Sequence, residues 1–115
     1  MTIHLYGIPN CDTVKKARKW LESQELEYTF HDLKKEGVDA ENLKDWIGAK
    51  GVDLVLNRRG TTYRKLSDAD KVDIDEAKAV TLLQEHSSMI KRPVAVHGNG
   101  ILIGFKEEEW SAAFS

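Results

Sequence analysis

The chain contains one cysteine, Cys11, so it cannot close an internal disulfide, and a redox cycle at that thiol must draw its second sulfur from another molecule. Long apolar runs are also missing. None approaches the roughly 20 residues that cross a bilayer as a helix, and Met1-Thr2-Ile3-His4 has neither the basic start nor the apolar stretch of a secretory signal. A cytoplasmic location and no membrane partner are therefore expected. Charge of one sign is lacking too. A formal net charge of −2 supplies no field to recruit nucleic acid, and the basic clusters are short with no stacking motif beside them, so no nucleic-acid partner is expected. His4, His31, His86 and His97 lie far apart in the sequence without ligand spacing. They read as ordinary strand or surface side chains, and no metal is expected. Repeats, low-complexity segments and linkers are absent, which leaves a single domain over residues 1–115 as the expectation.

What is present is enough apolar sequence for a core. With 41% apolar and 31% charged residues in 115, the composition is that of a globular protein able to fold without disulfide or metal staples. Residues 2 to 7 read as a strand closed by Gly7 and Pro9. From Asp12 the period changes to 3.6, with Val14, Ala17 and Leu21 on one face and Trp20 at its edge, which predicts an amphipathic helix to about Ser23. Leu26 to His31 alternates as a second strand, and strand, helix, strand implies a parallel pair with a right-handed crossover. Asp39 is placed as an N-cap, Val38 and Leu43 as a hydrophobic staple, and Leu43, Trp46 and Ile47 as a buried stripe ending at Gly48 and Gly51. A helical turn around Val52 to Leu56 precedes a polar stretch with Arg58, Arg59 and Gly60. Ile74, Ala77, Val80 and Leu83 mark a helix from about Asp75 to Glu85. Pro93 opens the strand Val94 to His97, Gly98-Asn99-Gly100 is turn chemistry, not a phosphate loop, and Ile101 to Phe105 returns as a strand. A last helix begins near Lys106, where Glu107 to Glu109 suit a helix N-terminus and Trp110, Ala113 and Phe114 form the apolar face.

This order, with a helical insertion between strands 2 and 3, predicts an α/β thioredoxin-like fold: a four-stranded mixed β-sheet flanked by helices. Cys11 falls between the first strand and the first helix. A thiol there meets unpaired backbone N–H groups and the positive end of the helix dipole, both of which favour the reactive thiolate. A small buried hydrophobe is the competing reading of a lone cysteine, and position by itself leaves the two balanced.

Four segments tip that balance: Tyr6-Gly7-Ile8-Pro9-Asn10-Cys11-Asp12-Thr13, Asn57-Arg58-Arg59-Gly60-Thr61-Thr62-Tyr63, Ile90-Lys91-Arg92-Pro93-Val94, and Gly104-Phe105. In this order and spacing the sequence resembles the arsenate reductase (ArsC) family, most of all its small YffB-type members and more distantly the Spx regulators. The resemblance implies Cys11 as the active thiol, Arg92 as a binder of an anion or glutathione, and Pro93 as the cis-proline opposite the cysteine. X-Pro bonds are the common cis sites, and arginine offers a forked donor set for a carboxylate or oxyanion. Asn10, Thr13, Arg58 and Arg59 are further candidates for binding glutathione or substrate, Thr13 through a hydrogen bond to the sulfur. Arsenate reductases of the family also use an arginine early in the Asn57 segment and another near Phe105, and here those positions hold Asn57 and Phe105. Val14 stands where dithiol enzymes and many Spx proteins carry a second cysteine.

The function expected is therefore a thiol–disulfide reductase with one nucleophilic cysteine. No cofactor is bound, glutathione serves as co-substrate, and a disulfide or an oxyanion is the substrate. Two alternatives stay open: arsenate reduction with glutathione and glutaredoxin, and a non-catalytic, Spx-like module that docks on a protein partner.

Overall fold

The computed structural model describes residues 2–98 and 100–114. In chain order the elements are β1 (His4–Gly7), α1 (Asp12–Ser23), β2 (Thr29–Asp32), α2 (Leu33–Glu36), α3 (Ala40–Lys50), α4 (Val52–Val55), α5 (Thr61–Arg64), α6 (Asp68–Lys71), α7 (Glu76–Glu85), a 3-10 turn (Ser87–Met89), β3 (Val94–His97), β4 (Gly100–Ile103) and α8 (Glu107–Phe114). The chain divides into two compact units, residues 1–36 with 92–115 and residues 37–91. Among the described residues no helix is long and apolar enough to cross a membrane.

The first unit holds a mixed four-stranded sheet in the order β2-β1-β3-β4. β1 and β2 are parallel, in register His4↔Thr29 to Gly7↔Asp32, while β1–β3 and β3–β4 are antiparallel. This is the predicted thioredoxin-like sheet, and the insertion between β2 and β3 is the second unit. One face of the sheet is apolar because Ile3 and Leu5 share it with Ala95. That face packs on Ala17 and Leu21 of α1 and on Trp110 of α8, with Trp20, Phe30, Leu102, Phe105 and Phe114 around the edge. Trp110 is 1% exposed and its Nε1 donates to the Gly104 carbonyl at 3.0 Å, so the indole is buried with its one donor satisfied. Burying a side chain such as Leu5 or Leu21 contributes about 1.5–3 kcal/mol relative to exposure.

Several expectations need correction. β2 begins at Thr29 and extends to Asp32, not Leu26 to His31. The chain leaves α1 through Glu25 at φ 57° and a Leu26 N–H bond to the Leu21 carbonyl, and because β1 begins at His4, whose partner is Thr29, Leu26 to Tyr28 precede the ladder. β4 stops at Ile103 because Gly104, at φ 77°, turns the chain out of the ladder before Phe105. The Gly98-Asn99-Gly100 turn includes Asn99, which lies outside the described residues.

In the second unit Asp39 caps α3 as expected, accepting from the Glu41 N–H at 3.2 Å, and Leu43, Trp46 and Ile47 are buried. Gly48 does not end that helix. It runs through to Lys50, and Gly51, at φ 88°, is its C-cap. α3 packs on α7, whose buried residues are Ala79, Val80, Leu82 and Leu83. Ala77 is exposed, because a three-residue repeat drifts about 60° per step around a helix of 3.6 residues per turn. An ammonium closes the α6–α7 connection: Lys78 Nζ donates to the carbonyls of Ala69, at 2.9 Å, and Val72.

Candidate functional site

Cys11 is half-buried, which sets it apart from the fully buried apolar residues of the core. It occupies the N-cap position of α1 at φ −92° and ψ 124°; its own N–H donates to the Ile8 carbonyl at 3.3 Å and its carbonyl accepts from the Lys15 N–H at 2.9 Å. Unlike a serine or aspartate in that position, the side chain makes no capping bond, so the sulfur is not tied up by the helix start. Asn10 and Thr13 flank it and are exposed. Among the described residues Thr13 makes no side-chain hydrogen bond to the sulfur.

Register brings distant sequence to the same place. Because β1 pairs with β3 as His4↔Val96, Leu5↔Ala95 and Tyr6↔Val94, the residues just before Val94 sit at the sheet end where Gly7 leads into the Cys11 turn. Those residues are Arg92 and Pro93. The Arg92–Pro93 bond is cis, Pro93 is buried, and its carbonyl accepts from the Gly104 N–H at 2.8 Å, which anchors it to the end of β4. Arg92 is half-buried and, among the described residues, has no ion pair. One sheet end of the first unit therefore gathers Cys11, whose side chain caps nothing, and the backbone of Arg92, which has no ion pair among the described residues, 81 residues apart in sequence.

The other two arginines singled out by sequence belong to the second unit. Arg58 is engaged locally: its guanidinium bonds Asp53 at 2.5 Å, and that bond, with Tyr63 contributing, holds it even further above its already high ordinary value. Arg59 is exposed, and its N–H donates to Asn57 Oδ1 at 3.1 Å, so Asn57 is occupied in closing its own turn. Phe105 packs against Trp110 with ring centroids 5.1 Å apart.

Sequence reasoning passed over one cluster. His4 Nδ1 and His31 Nε2 are 2.9 Å apart, His31 stacks on Tyr6 at 4.5 Å and 15°, and Glu36 lies 3.7 Å from His31 Nδ1. The signal was available only through the parallel register, which pairs Tyr6 with His31 and puts His4 on the same sheet face. Among the described residues no group of three or more potential ligands could hold a metal ion.

The fold has solved counterparts. The YffB protein superposes with a TM-score of 0.95 at 50% identity, over 98% of this chain and 99% of that one. An arsenate reductase (ArsC) related protein from Brucella melitensis gives 0.75 at 45% identity, over 100% and 96%. An uncharacterized protein of Haemophilus influenzae is 42% identical over 113 residues, 98% of this chain and 99% of its own. The family model matches residues 6–113, from the strand that delivers Cys11 to the last helix, and the chain belongs to the ArsC family.

Proposed function

We propose that the chain is a cytoplasmic thiol–disulfide reductase that uses glutathione. The reading is carried by the placement of its one thiol: half-buried, free of capping duty, and at the sheet end that also holds Arg92 and the cis Arg92–Pro93 bond. Cys11 as thiolate attacks one sulfur of a substrate disulfide; the new S–S bond forms as the old one breaks, and the departing sulfur leaves with the electron pair and takes a proton. Glutathione thiolate then attacks the Cys11 sulfur of the mixed disulfide, forming a Cys11–glutathione disulfide as the second substrate sulfur leaves with the electron pair and takes a proton; a second glutathione thiolate attacks the glutathione sulfur, forming glutathione disulfide and freeing Cys11 as thiolate, so two glutathiones are oxidised for each disulfide reduced. Arg92 supplies a forked donor set for a glutathione carboxylate. Asn10 and Thr13 border the approach to the sulfur.

Arsenate as oxidant, raised by the name of the Brucella relative, is less well served. The two positions where arsenate reductases of the family add arginines are spent on a turn at Asn57 and on aromatic packing at Phe105.

The test is glutathione-driven reduction of a small disulfide, coupled to glutathione reductase, with intact-mass analysis of the protein. The expected result is one glutathionyl group on Cys11 and turnover that Cys11→Ser abolishes; turnover retained by that variant, or no adduct, overturns the reading. Arsenate in place of the disulfide should give at most slow turnover.

A further inference from the structure

The exposed crest of α1 carries cations that the fold leaves unused. Lys15, Lys16 and Lys19 are exposed and, among the described residues, have no ion pair. Arg18, the fourth cation of the helix, is taken: its Nε donates to the Tyr28 hydroxyl at 3.0 Å and its guanidinium lies 4.2 Å from the Phe30 ring centroid. The acids of the helix do not answer the lysines. Asp12, four residues before Lys16, forms no pair with it, and Glu22, three after Lys19, accepts from the Tyr28 hydroxyl at 2.9 Å.

This arrangement works against the helix that holds it. Cations favour a helix in its last turn, where α1 has none, and opposite charges favour it at i,i+4, where Lys15 and Lys19 are alike. A local rule broken without a compensating contact marks a place kept for something outside the fold. The strip also leads to the thiol. The Lys15 N–H bonds the Cys11 carbonyl, so Lys15 stands one turn above Cys11 and Lys19 one turn further, about 6 and 12 Å along the axis at roughly 1.5 Å per residue.

We propose that this strip docks an acidic segment of a disulfide-bearing polypeptide and presents its disulfide to Cys11. The inference rests on the nucleophilic role of Cys11 proposed above. Lysines on two successive turns of an exposed face suit a segment that carries carboxylates on several residues. Attraction between exposed charges acts within about 10 Å at 0.1 M salt, so the effect is on encounter and is screened by salt.

Two ten-residue peptides test this, each with one cysteine joined in a disulfide to 2-mercaptopyridine, one flanked by glutamates and the other by glutamines. Attack by Cys11 breaks that disulfide, forms the peptide–Cys11 bond and releases pyridine-2-thione, read by absorbance. The wild-type protein should react about tenfold faster with the glutamate peptide at low salt. That preference should fall toward one in a Lys15→Gln, Lys16→Gln, Lys19→Gln variant and in high salt. It should persist when the three lysines become arginine, and in a Lys44→Gln, Lys50→Gln, Lys65→Gln control that removes equal charge elsewhere. A preference that survives in the strip variant, or is lost equally in the control, overturns the docking surface. Normal reaction with both peptides and no preference overturns the docking surface alone, whereas no reaction with either overturns the nucleophilic role on which it rests.

Discussion

A methyl group at Gly7 has nowhere to go. A Cβ built there would lie 2.7 Å from Val14 Cγ2, closer than carbon atoms approach, and a tight 3.1 Å from Val14 Cγ1. The restriction is steric contact between elements, since β1 ends at Gly7 and Val14 lies in the first turn of α1, fully buried. Gly7→Ala should therefore push the start of α1, and Cys11 with it, away from the sheet, at an overpacking cost of about 1–3 kcal/mol. Val14→Ala removes both offending methyls and by itself leaves a cavity, costing about 1–3 kcal/mol for the lost packing of two methyl groups. In the double variant the new methyl occupies part of that cavity, so the two losses should not add. A coupling of about 1 kcal/mol or more in the restoring direction is expected. Urea unfolding of the four proteins measures it, with the transition slope checked for constancy. The rate of Cys11 modification by a neutral disulfide should fall in Gly7→Ala and recover in the double variant. Strict additivity of the two stability losses, or a Gly7→Ala protein as stable as wild type, would refute the argument that this glycine exists to let strand and helix meet.

Gly104 is required for a different reason: at φ 77° any side chain is strained, so Gly104→Ala should cost about 1–2 kcal/mol in urea unfolding, and Gly104→Asn less. Asp39→Ala removes the cap that holds the Glu41 N–H and should cost about 1 kcal/mol, recovered by Asp39→Ser. Asp53→Asn should change stability by no more than about 0.5 kcal/mol, because its side chain is 90% exposed and the pair with Arg58 is solvated.

Where a signal was local, the sequence carried it to the residue. α1 runs from Asp12 to Ser23 as the 3.6 period said, and β3 begins at Val94 directly after Pro93. Local signals decide such boundaries because proline, caps and one-sided burial act within a turn or two of the chain. The short helices α2, α5 and α6 left no such trace. Four residues give too few repeats for periodicity to register, and one isolated turn fixes several dihedrals for little hydrogen bonding in return, so its stability comes from surroundings that the local sequence does not contain.

By itself, then, the sequence determined that Cys11 has no second cysteine to pair with, that it would stand at the junction of β1 and α1, and that the chain would build a mixed sheet of four strands with a helical insertion. Which side chains would be left over for chemistry was decided only by the tertiary structure. Arg18 and Lys19 look alike as neighbours in a basic run, yet one lies over Phe30 and bonds Tyr28 while the other has no ion pair among the described residues. Arg92 is the leading motif arginine and Arg58 a further candidate, and only the structure shows Arg58 held by Asp53 while Arg92 has no ion pair among the described residues. Partnership between side chains depends on strand register, and register is settled by burial and pairing over the whole sheet, a property no stretch of sequence holds alone.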